Sequence, residues 1–256
     1  MREMTNHMQL RYALFVHGAG GGGWEWNIWV RVFAAHGWHC AAPDLQPAHA
    51  GLAATTFEDY VDQVAAEAHA ASATLGTSRD GDIVLIGASL GGLLVLAACA
   101  RVAPSALVLI NPLPPSGLAA SHDEKFSEIV PWGSRRSLAS TRRALAESDA
   151  AARLFAFRRW RDESGQVMRT ARAGVDVGKP ACPVLVIASE SDDDVPLASS
   201  RRLAESFAAS FRLLAGAGHV APLLGRDAAV CASEVLMWLD RAPLQRPIPT
   251  WRNAYE

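Results

Sequence analysis

Short apolar runs alternate with stretches of helical periodicity over residues 12–110, and again over residues 183–239. The runs 12–16 (YALFV), 82–86 (DIVLI), 106–110 (ALVLI) and 183–188 (PVLVIA) are too short for buried helices. Their aliphatic and β-branched content reads as strands covered on both faces. A weaker run at 39–42 predicts a strand that stops at Pro43-Asp44, and 211–214 predicts a last short one. Helices are expected at 24–35, 57–75, 90–101, 197–208 and 227–239. Residues 57–75 show the spacing well, with Phe57, Tyr60, Val61, Val64, Ala65 and Ala68 on one face. This alternation predicts an α/β architecture: a mostly parallel six-stranded sheet with helices on both faces.

The regularity breaks between residues 112 and 180, where no strong strand signal occurs and 137–173 reads as helical. An insert of that length, at about 113–179, is longer than an ordinary connection. It reads as a helical cap or lid within one domain spanning residues 1–256. The tail 243–256, with Pro247 and Pro249, is expected to pack irregularly on the surface.

Composition narrows the function classes. The chain has 256 residues, half of them apolar, enough for one sizeable core. A net charge of −2 provides no basic field for nucleic acid or an anionic membrane. The polar N-terminus lacks a signal-peptide core, and no apolar run reaches membrane-spanning length. Cys40, Cys99, Cys182 and Cys231 lie far apart, with no C-x-x-C pair or ligand-spaced histidine, so four buried free thiols and no metal site are expected. A cytoplasmic protein without nucleic-acid or membrane partners fits best. Nothing in the sequence signals an oligomeric state.

Chemistry enters at Gly87-Ala88-Ser89-Leu90-Gly91. A serine hydroxyl is a poor nucleophile until a base takes its proton. In G-x-S-x-G the serine sits on a strained strand-to-helix turn with its oxygen exposed, and here a strand precedes and a helix follows. The competing reading is an idle serine on a Gly-rich turn. Downstream, Asp192, Asp193 and Asp194 follow the strand at 183–188, and Gly216-Ala217-Gly218-His219 follows the last strand. Carboxyl ends of parallel strands converge on one crevice. His219 would take the Ser89 proton, and an aspartate would hold the imidazole tautomer. The run His17-Gly18-Ala19-Gly20-Gly21-Gly22-Gly23 has the place and type of a loop that supplies an oxyanion-hole donor. The donors would be the backbone N–H groups of Ala19 and Leu90. A phosphate or dinucleotide site competes for that loop, but no G-K-[ST] follows, and only Asp44 approaches the place of a ribose-binding acid. His17 reads as a structural hydrogen-bonder.

These elements, in this order, resemble the α/β-hydrolase superfamily. HGAGGGGWEW followed by APDL is similar to the opening of the plant methylesterase and hydroxynitrile lyase branch. The resemblance covers about residues 12–240 and is absent in the cap. It implies a sheet with the first strand central, in the order 2-1-3-4-5-6, and an antiparallel N-terminal pair missing for want of residues before Tyr12. Asp192 stands in the family's D-x-x-V-P register, with Asp193 as the alternative acid. The sequence departs from the family where Gln46-Pro47-Ala48-His49-Ala50-Gly51 replaces a Pro-Gly-x-Gly turn, and where Ser189 replaces a glycine.

The implied activity is that of a cofactor-free, carboxylesterase-like serine hydrolase acting on a small-molecule ester or thioester through an acyl-Ser89 intermediate. A lyase or acyltransferase on the same scaffold, or a non-catalytic binding protein, are the alternatives. The serine at the elbow argues against dehalogenase and epoxide hydrolase chemistry, which in this superfamily uses aspartate there. Residues 135–172 carry ten arginines: 135, 136, 142, 143, 153, 158, 159, 161, 169 and 172. Interleaved acids read them as solvated helix charges and weak ion pairs rather than a face for an anionic substrate. Trp24, Trp132 and Trp160 are candidate pocket residues. They, with Trp26, Phe155 and Phe157, could equally be core.

Overall fold

The structure is a computed structural model, described for residues 11–74, 83–118 and 125–242. The expected N-terminal residues, Asp82 at the start of the third strand, Leu75 at the end of a helix and the tail 243–256 lie outside the described residues. Six parallel strands form one sheet: β1 Arg11–Val16, β2 Trp38–Ala41, β3 Ile83–Ala88, β4 Ala106–Ile110, then β7 Val184–Ser189 and β8 Ser210–Leu214. The spatial order is β2-β1-β3-β4-β7-β8, all pairings parallel. Counting these six alone gives 2-1-3-4-5-6. Two further strands, β5 Ile129–Val130 and β6 Glu163–Ser164, pair antiparallel inside the insert. They correct the expectation of a strandless cap. At two residues each they are too short to print a period on the sequence.

The apolar runs become strands because both faces of the sheet are covered. Every residue of β3, β4 and β7 is buried. Side chains alternate between two cores, as the two-residue period of a strand demands. Leu14, Leu85, Leu107 and Leu109 pack with Val64 of α2 (Phe57–Thr74) and Leu93 of α3 (Leu90–Ala98). Phe15, Ile86, Val108 and Ile110 pack with Trp29 and Phe33 of α1 (Asn27–Ala35), and with Val235 and Leu239 of α8 (Ala228–Arg241). The helix expected at 24–35 divides into a 3₁₀ turn at Gly23–Trp26 and then α1. Helix α7, Leu197–Phe207, flanks β7.

The cap holds α4 (Leu138–Ala144), α5 (Ala150–Phe157) and α6 (Gly165–Ala173). Each begins on a side-chain cap: Ser137, Asp149 and Ser164 accept from the amides of Ser140, Ala152 and Val167. Arg135, Arg142, Arg143 and Arg158 are exposed, and Arg161 stands 3.6 Å from Asp44, in line with solvated charges and weak ion pairs; the backbone takes up more of the arginines than expected. Arg136, Arg153, Arg159, Arg161, Arg169 and Arg172 donate to backbone carbonyls, of Gly133, Leu145, Phe155, Leu45, Phe126 and Asp194 respectively. A guanidinium carries five donors in a fixed fork, and the irregular cap backbone offers many orphan carbonyls. The cysteines also depart from expectation. Only Cys231 is buried, while Cys40, Cys99 and Cys182 are half-buried; all four are free. Burial pushes the thiols of Cys40 and Cys182 up to about 11, which removes their thiolate character at neutral pH. Among the described residues, no helix is long and apolar enough to cross a membrane.

Candidate active site

Ser89 occupies the turn between β3 and α3 with φ 53° and ψ −119°, a conformation that a non-glycine residue adopts only under constraint. The constraint is visible on both sides. The Ser89 amide donates to the Ile110 carbonyl at 2.9 Å, and the Ser89 carbonyl accepts from Gly92 and Leu113 at 3.0 and 3.1 Å. A Cβ at Gly91 would collide with the Val16 carbonyl, and one at Gly87 with the Gly91 carbonyl. The glycines of the motif therefore let β1 and α3 close around the serine. The Leu90 amide opens α3, where an N–H has no intrahelical acceptor.

His219 lies after β8, and its Nδ1 stands 2.8 Å from Asp192 Oδ2. Asp192 follows β7 and is nearly sealed from water, with 2% of its side chain exposed against 16% for His219. Its other oxygen, Oδ1, accepts from the amides of Asp194 and Val195 at 2.8 and 2.9 Å. That turn fixes the carboxylate and explains why Asp192 is the acid that faces the histidine. Asp193 is exposed. Burial favours the neutral imidazole, but the Asp192 bond and charge, with Asp194 and Glu25 nearby, outweigh it and hold His219 above the usual imidazole range.

Asn111, at the end of β4, holds this half of the site together. It adopts φ 44° and is 2% exposed. Its amide nitrogen donates to the His219 carbonyl at 2.7 Å and to Ser189 Oγ at 2.9 Å, and its Oδ1 accepts from the Ser189 amide at 2.7 Å. The serine that replaces the family glycine at 189 is thus a hydrogen-bond partner. An asparagine after a strand reads as a turn residue, so the sequence offers no signal for this role.

The glycine loop faces Ser89 from β1. A Cβ at Gly18 would lie 3.2 Å from Ser89 Cβ. His17 is buried, with Nδ1 2.8 Å from the Gly18 carbonyl and Nε2 accepting from the Leu45 amide at 2.9 Å. Burial pulls its pKa down to about 4, so it is a neutral brace. Asp44 accepts from the Gly23 amide at 2.7 Å and stands 3.6 Å from Arg161. Those bonds occupy the carboxylate that a nucleotide ribose would have needed.

Ser89, His219, Gly18, Ala19, Gly20 and Glu25 line one cavity of about 260 Å³. Leu113, Trp132, Trp160, Met168, Val220 and Leu223 make most of its other walls apolar, while Ser140, Thr141, Arg172 and Asp194 add a polar side. Trp132 and Trp160 are therefore wall residues. Trp24 is set behind them, edge-on to Trp160 and Phe155 with centroids 5.2 and 5.8 Å apart. It buttresses the pocket without lining it, because the chain turns into the 3₁₀ segment at that point. Trp26 is wholly buried against Phe15, and Phe157 lies under Arg136. Leu90 does not line the cavity; its side chain is wholly buried in the core.

Glu25 escaped the sequence reading. A glutamate between two tryptophans looks like a surface charge, yet it is 4% exposed in the cavity wall. Burial pushes its carboxyl up to about 8, against the pull of the Gly18 and Gly22 amides and of His219.

A sheet with a left-handed serine at one strand end, and a bonded acid and histidine at two others, defines a class. A model of the alpha/beta hydrolase family matches residues 13–233, and the chain belongs to that family. A search of curated proteins found no match. Similar solved structures include a methylesterase from Arabidopsis, 15% identical, covering 91% of this chain and 100% of that one at TM-score 0.68. A pyrethroid hydrolase from Sphingobium faniae is 18% identical over 91% of this chain and 98% of that one, with TM-score 0.65. Tomato methylketone synthase I, solved with 2-tridecanone, is 14% identical over 91% and 99%, with TM-score 0.67. At such identities the likeness speaks to the fold alone.

Proposed function

We propose that the protein is a serine hydrolase that cleaves a small carboxylic ester or thioester through an acyl-Ser89 intermediate. The observation that carries this reading is the 2.8 Å contact between His219 and Asp192, in the loop that places His219 in the same cavity as Ser89. With Nδ1 committed to Asp192, Nε2 is the nitrogen left for the Ser89 proton. Attack of Ser89 Oγ on the carbonyl carbon yields a tetrahedral oxyanion, and the imidazolium formed is stabilised by Asp192. The Ala19 and Leu90 amides would bind the oxyanion. His219 then returns its proton to the departing alkoxide or thiolate. Water, deprotonated by His219, attacks the acyl-serine and releases the acid. A cavity of about 260 Å³ favours a short or medium acyl group.

A nitrophenyl ester panel with a fluorophosphonate probe tests the reading, alongside Ser89→Ala. The expected result is turnover and labelling at Ser89 in the wild type, with turnover lowered at least ~10⁴-fold in the variant. A wild type that neither hydrolyses an ester nor labels at Ser89 overturns it. Turnover that survives Ser89→Ala overturns the choice of nucleophile.

A further inference from the structure

The amides of the glycine loop divide unevenly among acceptors. Gly18 N–H donates to Glu25 Oε2 at 3.3 Å, and Gly20 N–H to Glu163 Oε2 at 3.1 Å. Gly21 N–H donates to the Gly18 carbonyl at 3.2 Å, and Gly23 N–H to Asp44. Ala19 N–H, between the two glutamate-bound amides, has no protein acceptor among the described residues and borders the cavity.

The two glutamates reach the loop from opposite sides. Glu25 comes from the 3₁₀ turn that follows the loop, and its carboxyl fills the hollow left by Gly21, where a Cβ would collide with it. Glu163 comes from β6 of the cap and is 3% exposed. It also accepts from Tyr60 at 2.9 Å and from the Ser164 amide at 2.8 Å, so it cannot swing freely. The adjoining Arg161 amide donates to the Gly20 carbonyl at 2.8 Å, and Trp132 packs on Gly20. Both faces of the Gly20 residue are thereby tied to the cap.

We propose that Glu25 and Glu163 are positioning residues that bracket the Ala19 peptide and aim its N–H at the oxyanion, making the cap part of the oxyanion hole. The proposal rests on the hydrolase reading above. A buried donor aimed in advance costs no reorganisation at the moment of reaction, and a donor that swings away loses most of its effect. Neither carboxyl touches the reacting atoms in this scheme. Each acts through one backbone amide on either side of Ala19.

The test measures kcat and KM on a nitrophenyl ester, and Ki for an aryl trifluoromethyl ketone that adds to serine and forms an oxyanion. The variants are Glu25→Ala, Glu25→Gln and Glu163→Gln, with thermal unfolding as the control for folding. Because removing one oxyanion donor outright costs ~10²–10³ in kcat, misaiming it should lower kcat about tenfold or more. KM should stay within about twofold, and Ki should rise by the factor that kcat/KM falls, since the interaction exists only in the transition state. Glu25→Gln, which keeps an oxygen for Gly18 N–H, should regain most of what Glu25→Ala loses. Glu163→Gln should not be spared, because its acceptors serve three donors. If Glu25→Ala fails to fold, the nearly isosteric Glu163→Gln decides alone. Folded variants with kcat and Ki near wild type overturn the proposal while the hydrolase reading stands. A wild type inert to every ester overturns both.

Discussion

The elbow and the cap position residues of the same cavity by different physics. The elbow is backbone geometry wrapped in an apolar core. Ser89 is held at φ 53° because β1, β3 and β4 close on it and glycines permit the approach. The cap is held by polar stitches: arginines on carbonyls, Glu163 on Gly20, and Asp162 on the Gly133 and Ser134 amides at 2.8 and 2.7 Å. A core of aliphatic strands tolerates shuffling of like-sized residues. A polar stitch fails when one partner is removed, because the other is left buried and unpaired. The seat of Ser89 should therefore be robust, and the cavity walls and the glycine loop should be sensitive to single polar changes.

The sharpest test of the elbow side is the acid. Asp192→Asn should lower kcat by about 10⁴, as expected when the imidazole is left in the wrong tautomer, and steady-state kinetics on any turned-over ester will show it. Asp193→Asn, one residue away and exposed, should stay close to wild type. Equal losses would remove the distinction between them.

Asn111 lies where the core gives way to polar anchoring. Asn111→Ala strands the Ser189 amide and the His219 carbonyl, so unfolding should cost about 1–3 kcal/mol less, read by denaturant titration. Its kcat should also fall, with KM unchanged, because His219 loses its tether. A variant as stable and active as wild type would mean that the loop holds itself.

On the cap side, Trp132→Ala opens the cavity wall and frees the flank of Gly20. The expected outcome is a shift toward longer acyl chains across the ester panel, with a change in KM of several-fold; a pocket methylene is worth about 1–3 kcal/mol. Trp24→Ala should shift chain preference less, since Trp24 stands behind the wall.

The remaining tests are in pH. Glu25 has a folded pKa of about 8 against its ordinary 4.5. The folded state then binds more protons than the unfolded one between these values. Its contribution is intact below 4.5 and is lost as pH rises through 8. Glu25→Gln should narrow the drop in Tm between pH 5 and 8.5. His17 has the opposite sign: its folded pKa of about 4 lies below 6.5, so stability is lost on acidification through that window. Activity should also fall as acid protonates His219, with a midpoint above 6.5 in kcat/KM.

The comparison also explains what was legible in the sequence. Strands buried on both faces must be apolar throughout, so β3, β4 and β7 announced themselves, and with them the loops at their carboxyl ends. Ser89, Asp192 and His219 became candidates that way, and the fold brings their loops to one end of the sheet. The order of the sheet followed from the family resemblance. The cap was opaque because β5 and β6 are two residues each, and an arginine's choice of carbonyl depends on loop geometry rather than spacing. Glu25 and Asn111 were missed for one reason: a polar side chain on a loop reads as solvated until the backbone that covers it is known. Trp24 was placed one layer too far forward, since tryptophan spacing does not distinguish a wall from its buttress.

The edge-on pair of Trp24 and Trp160 has a spectroscopic consequence. One ring belongs to the core and one to the cap, with centroids 5.2 Å apart at 77°. Indoles that close couple their excited states and give a split circular-dichroism band. Trp26 and Trp29 form a second such pair within the core, 5.6 Å apart, so the share of the band that Trp160→Phe removes is the one that reports the junction, without an attached label.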